Sequence, residues 1–412
     1  MIGLIGVGMV AVVVWVVMVA VPRLTGELGA EPAADGRLPA LPLAVASDLE
    51  WESGPGTVGS WVTTAATFAS DGFIYALSTT PGLRQIPEGV PVPHAIYRSQ
   101  DGFAWVVEPL TGLGEDLYPR DIAHSGSNLY LVGTAPSAAD PAAAVVRVGS
   151  SQDGGATWAS VDLELVVNPG GPLGGMHVDV AANSLGAMVS ANRNLFGANG
   201  IAGNELTVFA GSGLEGLLAT PVPFGDGSSL ERLEATSSMF YAIVRPSGGF
   251  ERLPLLELWR SVDGNAWEKL ENFPFMDVVN AFGEVGGRRV AVGQLEGRVV
   301  LGATIDDVTW DEMDMSEMLP PVAEGNQWVS ASSVGSAGLY FNVQSFLPTG
   351  GDRMHEVSQL IGSPDLLSWS STDSVTLLNG YMEQIVVGDD FVFVNGISGV
   401  PGTRVHVVGT RA

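Results

Sequence analysis

The chain of 412 residues contains no cysteine, which excludes disulfide staples, thiolate metal centres, thiol redox chemistry and a lipoprotein-type cysteine anchor. Cations are scarce as well: 18 Lys and Arg face 45 Asp and Glu for a net charge of −27, and the single lysine is Lys269. A field of that sign repels a phosphate backbone, so nucleic acid is excluded as a partner. The five histidines (His94, His124, His177, His355, His406) have no metal-ligand spacing, and no phosphate-binding loop, dinucleotide fingerprint or Gly-x-Ser-x-Gly elbow occurs. No metal and no cofactor is expected. Beyond residue 22 no stretch sustains the 3.6-residue apolar period of a helix. Glycine and proline are abundant instead, at 54 and 25 residues, which is the punctuation of a turn-rich all-β chain.

Residues 1–22 carry no charged side chain, and an apolar helix of about 20 residues spans a bilayer core. The first basic side chain, Arg23, follows the apolar run, and the nearest Ala-x-Ala, Ala44 to Ala46, is too distant to be its cleavage site. An uncleaved transmembrane anchor is therefore expected over a removed signal, with the remainder on the extracytoplasmic side, or secreted if the segment is cleaved. Charge hardly votes on orientation, with only Arg23 beside the run. Residues 23–46, with Pro32, Pro39 and Pro42, read as an extended linker.

From residue 47 the chain repeats itself. Five segments place a hydroxyl residue two positions before an Asp and a Trp four or five after it: Ser99-Gln-Asp101-Gly-Phe-Ala-Trp105, Ser151-Gln-Asp153-Gly-Gly155-Ala-Thr157-Trp158, Ser261-Val-Asp263-Gly-Asn-Ala-Trp267, Thr304-Ile-Asp306-Asp-Val-Thr-Trp310 and Ser363-Pro-Asp365-Leu-Leu-Ser-Trp369. An Asp and a hydroxyl can satisfy the donors of a hairpin turn, Gly supplies positive φ, and the Trp packs beneath the next hairpin. These carboxylates are thus expected to staple turns, not to bind metal or catalyse. Trp51, Trp105 and Trp158 recur at 54 and 53 residues, whereas Trp158 and Trp267 are 109 apart. That gap holds a hidden unit, 206–224, whose turn is Ser212–Gly216. Seven units of about 50 residues result, each with four short strands. The last unit lacks an outer strand, and Ser47–Trp51 is an outer strand without a unit, so the N-terminal strand is expected to complete the last blade and close the ring.

The second segment resembles the full Asp-box, or BNR, pattern Ser-x-Asp-x-Gly-x-Thr-Trp of sialidase-like β-propellers, and the other four resemble shorter forms of it. The resemblance implies an all-β, seven-bladed propeller over 47–412, with the boxes on the face opposite the site. The site would then lie at the starts of the inner strands, where candidate ligand-binding residues are Trp61, Arg120, Asp121, His177, Asp179, Glu231, Arg232, Asp277, Gln327, Trp328, Tyr381 and Glu383. Polar and aromatic groups of this kind suit sugar or peptide binding, although solvated loop ends have the same composition.

Sialidases hold their substrate carboxylate with three arginines, the first in an Arg-Ile-Pro motif. This chain has no Arg-Ile-Pro, and its strand entries offer only Arg120 and Arg232. Loss of part of that bidentate arginine set argues against sialic acid as substrate. No catalytic residue is assigned. The expected function is non-catalytic binding of a glycan, peptide or protein partner by a membrane-anchored, monomeric, extracytoplasmic propeller. The alternative is a divergent glycoside hydrolase acting on surface polysaccharide, which requires a close carboxylate pair among Asp121, Asp179, Glu231, Asp277 and Glu383.

Overall fold

A computed structural model of the chain describes residues 43–44, 49–55, 61–68, 72–81, 95–114, 116–138, 144–167, 176–197, 200–248, 255–274, 276–319, 327–348, 354–378, 380–398 and 404–411. The apolar segment 1–22 and most of the linker lie outside the described residues. Among the described residues no helix is long and apolar enough to cross a membrane.

The strands form seven sheets of four-strand antiparallel meanders, the blades of a β-propeller. Their innermost strands are Trp61–Phe68, Tyr118–Ser125, Met176–Asn183, Ser229–Ala235, Val278–Val285, Gln327–Gly335 and Gly380–Val387, for blades 1 to 7. Each contacts the next, and Gly380–Val387 also contacts Trp61–Phe68. Six blades run inner to outer in chain order, while the outer strand of blade 7 is Leu49–Pro55 from the N-terminal side, paired antiparallel with Arg404–Arg411. Trp51 lies opposite Gly409, whose missing side chain makes room for the indole: a Cβ there would sit 2.8 Å from the ring. Within the stretch expected as linker, Leu43–Ala44 adds a short parallel strand to the outer strand Ser368–Asp373 of blade 6. One helical turn, Ser374–Leu378, links blades 6 and 7 and is too short to show a period in sequence.

The five Ser/Thr-x-Asp turns share one geometry between the third and outer strands. In blade 2 the Ser151 hydroxyl donates to Asp153 at 2.8 Å, the Thr157 amide and hydroxyl donate to the same carboxylate at 2.9 and 2.6 Å, and the Trp158 indole donates to Gly155 O at 2.9 Å. Asp101, Asp263, Asp306 and Asp365 likewise accept the amide of the residue before the Trp, those of Ala104, Ala266, Thr309 and Ser368. These bonds to the charged form hold Asp153, chiefly through Thr157, and Asp306, chiefly through the Thr309 amide, down to about 2. Blade 3 makes its turn with a 3-10 helix, Leu214–Gly216, between Gly200–Gly211 and Leu218–Thr220, inside the gap that the Trp spacing leaves.

In blades 1, 4 and 5 the fourth position of the turn docks its blade on a neighbour. Gly264, at φ +80°, faces blade 3 so closely that a Cβ would lie 2.4 Å from the Ala210 Cβ. Asp307 takes that position in blade 5 with φ 63° and is 5% exposed. It accepts from Arg260 at 2.8 Å and Tyr241 at 3.2 Å, both from blade 4, and from Arg289 of its own blade. Hydrophobic clusters fill the spaces between successive sheets; Trp369 and Phe341, for example, pack from blade 6 with Val292 and Leu301 of blade 5.

Candidate functional site

Alternation along a strand puts residues i and i+2 on one face, and the inner strands turn such a face toward a common central space. Irregular pairing modifies that face. The inner strands of blades 1, 2, 4, 5, 6 and 7 shift register against their second strands, inserting Thr64, Arg120, Glu231, Asn280, Ser330 and Glu383, respectively. A bulge of this kind re-aims the side chains around it. In blade 3 the described pairing is regular from Met176 to Asn183.

These strands bound a cavity of about 1120 Å³. Of the residues expected from sequence, the structure brings Asp121, His177, Asp179, Glu231, Arg232 and Glu383 together in its lining. The other described candidates turn elsewhere. Arg120 places its guanidinium 4.3 Å from the Tyr118 ring centre. Asp277 serves the blade 4 and 5 boundary, where its carboxylate accepts the Glu296 amide at 2.7 Å and its carbonyl accepts Arg245 at 2.8 Å. Gln327 is buried, with its carbonyl accepting Gln294 at 2.8 Å, and Trp328 is half-buried outside the lining. Trp61 and Tyr381 start inner strands, but their side chains lie outside the described residues.

Sequence reasoning missed Glu234, Glu284 and Asp389, which also line the cavity. Glu234 was the most accessible to inference, standing two residues beyond Arg232 on the same strand face. Asp389 belongs to the expected turn between Val387 and Phe391, and the Ser336 hydroxyl of blade 6 donates to it. Among the described lining residues, seven carboxylates thus face one guanidinium, with His124 and His177 as further titratable groups.

The acidic wall is most concentrated across blades 2 to 4. Asp121 accepts the Ile122 amide at 2.8 Å and, across the blade boundary, the Val180 amide at 2.9 Å. His177 and Asp179 are 3.1 Å apart, and the second Asp179 oxygen is buried without a hydrogen-bond partner. Arg232 pairs with Glu234 at 2.8 Å and donates to the Asn280 carbonyl at 2.7 Å, so its charge is committed within the wall. Burial, reinforced by the Asp179 charge, pushes Asp121 up to about 7, and burial also raises Glu234. The hydrogen bond to Asp179 raises His177.

These shifts set a pH profile for stability. Asp121, Glu234 and His177 bind protons more tightly folded than unfolded, so stability falls as pH rises through their folded values. The turn carboxylates Asp153 and Asp306 bind protons less tightly folded, so their contribution is complete above about 4 and is lost as pH falls toward 2. Thermal unfolding is therefore expected to show a maximum between about pH 4 and 6. Asp121→Asn should flatten the alkaline limb, and an unchanged limb would contradict this assignment.

No protein-family model and no curated protein matches the chain. Solved structures do, at the level of fold. The structure titled "YCF48 bound to D1 peptide" superposes with a TM-score of 0.50 at 14% identity, covering 91% of this chain and 99% of that one. Pyrococcus horikoshii acylaminoacyl peptidase superposes with a TM-score of 0.50 at 9% identity, covering 87% of this chain and 54% of the other. Trypanosoma rangeli sialidase follows at 0.39 and 12% identity, covering 85% and 55%. The neighbours thus include sialidase-like and other β-propellers, one of them bound to a peptide.

Proposed function

We propose that the protein is a non-catalytic binding propeller whose acidic central cavity receives a positively charged segment of a peptide or protein partner. The observation that carries this reading is the charge of the lining, seven carboxylates against one guanidinium that is already paired. An anionic sugar would be repelled there, which agrees with the missing arginine set, whereas a lysine or arginine side chain would meet acceptors in a low-dielectric wall. A propeller neighbour bound to a peptide supports a partner of the same class. We assign the five turns to Asp-box repeats on their shared hydrogen bonding, and the pairing of Leu49–Pro55 with blade 7 to closure of the ring. We further propose that residues 1–22 anchor the propeller in a membrane with the domain on the extracytoplasmic side, from the length and lack of charge of that segment.

Titration of the full chain with pentalysine tests the reading. One-to-one binding that weakens as salt rises from about 0.05 to 0.5 M is expected, because these contacts are partly screened, together with no binding of pentaglutamate. Equal affinity for both peptides would overturn it. A second reading, glycoside hydrolysis, is favoured by one observation: Asp121, raised to about 7, stands beside Asp179, which is the acid and carboxylate arrangement such chemistry uses. Against it, both Asp121 oxygens are occupied by backbone amides. Turnover of an aryl glycoside that is lost in Asp121→Asn would establish this second reading and displace the first.

A further inference from the structure

Buried polar atoms without a partner mark what a fold leaves for a ligand or a water to complete. Three such oxygens stand together in blade 3. Asp179 of the inner strand lies directly opposite Ser190 of the second strand Gly186–Gly197, and His177 lies opposite Asn192. Opposite residues of an antiparallel pair project from the same face with Cβ atoms about 4.5–5.5 Å apart, and residues i and i+2 share that face, so the four side chains form one patch. Asp179 Oδ2, Ser190 Oγ and Asn192 Oδ1 are each buried without a hydrogen-bond partner, and Ser190 is 1% exposed. The other Asp179 oxygen is engaged by His177. The same face continues into the opposed pair Ala181 and Met188, which pack with Leu230, Leu233, Ala242 and Val244 of blade 4. The neighbouring blade thus presents apolar side chains to this face, and none of the three oxygens receives a donor from it.

Two of these oxygens can only accept, and the hydroxyl can accept as well, so the missing occupant brings donors. Calcium takes about six to eight oxygen ligands, more than this set supplies, and among the described residues no group of three or more His, Asp and Glu could hold a metal ion. A lysine ammonium carries three donors on one nitrogen at the end of an apolar stem, whereas guanidinium is a planar fork that matches a carboxylate with both oxygens free. Here His177 already engages one Asp179 oxygen, which removes the bidentate match. We infer that Asp179, Ser190 and Asn192 form a lysine ammonium subsite behind the cavity wall, entered past Asp179, and that the cavity prefers lysine to arginine. Asp179 and Leu233 both line the cavity, and Leu233 also belongs to the apolar side of blade 4, so it gives the aliphatic stem a surface to pack on. The inference rests on the function proposed for the cavity and names the side chain that the partner inserts.

Calorimetric titration of the full chain at about pH 7 with pentalysine and, separately, pentaarginine tests it. Pentalysine is expected to bind about threefold or more tighter, although arginine is the stronger partner of an open carboxylate. Ser190→Ala removes one acceptor without changing charge. It is expected to weaken pentalysine about tenfold, as loss of a hydrogen bond to a charged group does, and pentaarginine less than about twofold. Without peptide, the same variant should unfold at an unchanged or higher temperature, because the hydroxyl has no partner to lose. A clear fall in that temperature would reveal a partner inside the fold and overturn the subsite. Equal affinities of the two peptides for the unmutated chain, or a parallel loss of both in Ser190→Ala, would overturn it while leaving the acidic cavity as a cation site. Unchanged pentalysine affinity in Ser190→Ala would assign the patch to a buried water and overturn it likewise. Binding of neither peptide would remove the function proposed for the cavity and the subsite together.

Discussion

Asp307→Ala is expected to destabilise the protein by about 3–5 kcal/mol, the cost of removing one partner from a buried ion pair. The carboxylate is 5% exposed and is shared by Arg260, Arg289 and the Tyr241 hydroxyl. Arg260 would retain Glu268 and Arg289 would retain the Ile305 carbonyl, but the Tyr241 hydroxyl, in a residue that is 1% exposed, would lose its acceptor. Burial and the Asp307 charge push the Tyr241 phenol far above its ordinary value, so the group stays a donor at any working pH. Denaturant unfolding of Asp307→Ala, Tyr241→Phe and the double variant gives the coupling directly. Asp307→Asn should recover part of the loss, since it keeps an acceptor without the charge. A loss below about 1 kcal/mol in Asp307→Ala would show that the blade 4 and 5 boundary does not depend on this carboxylate.

The second large effect concerns binding. Asp179→Asn with Glu234→Gln is expected to weaken pentalysine by on the order of thirtyfold or more, because removing partners of a desolvated charge costs about 2 kcal/mol or more. Both side chains line the cavity, and Asp179 has a buried oxygen awaiting a donor. In Asp179→Asn alone, stability should move in the opposite direction to affinity above pH 7, since a neutral side chain relieves the like-charge repulsion that raises Asp121 and leaves the Arg232–Glu234 pair in place. Unchanged affinity with raised stability would mean that the acidic wall is a cost of the fold and not a site.

The architecture was legible because its determinants are local. Ser151, Asp153, Thr157 and Trp158 make their turn within eight residues, so the sequence displays the whole device. The gap without a Trp between Trp158 and Trp267 placed blade 3 by spacing alone, and the missing outer strand pointed to the strand that the structure places at Leu49–Pro55. Trp51 of that strand lies opposite Gly409, the position that accommodates its indole. The site was half legible. Asp121, His177, Asp179 and Arg232 stood out as strand-entry polar residues, yet which side chains face inward depends on the bulges at Arg120 and Glu231, and those answer to pairing partners more than ten residues away. Asp277 and Gln327 have the same local appearance but are drawn into blade boundaries by Arg245, Glu296 and Gln294. Asp307 shows in sequence only as a departure from Gly, since its arginines arrive from two other strands.

Hydrogen exchange of the full chain with and without saturating pentalysine tests the central claim most directly, because it reports where the ligand sits. Protection is expected in the inner strands Tyr118–Ser125, Met176–Asn183 and Ser229–Ala235, which carry Asp121, Asp179 and Glu234. Protection confined to the Ser/Thr-x-Asp turns, or none in those three strands at saturation, would contradict it.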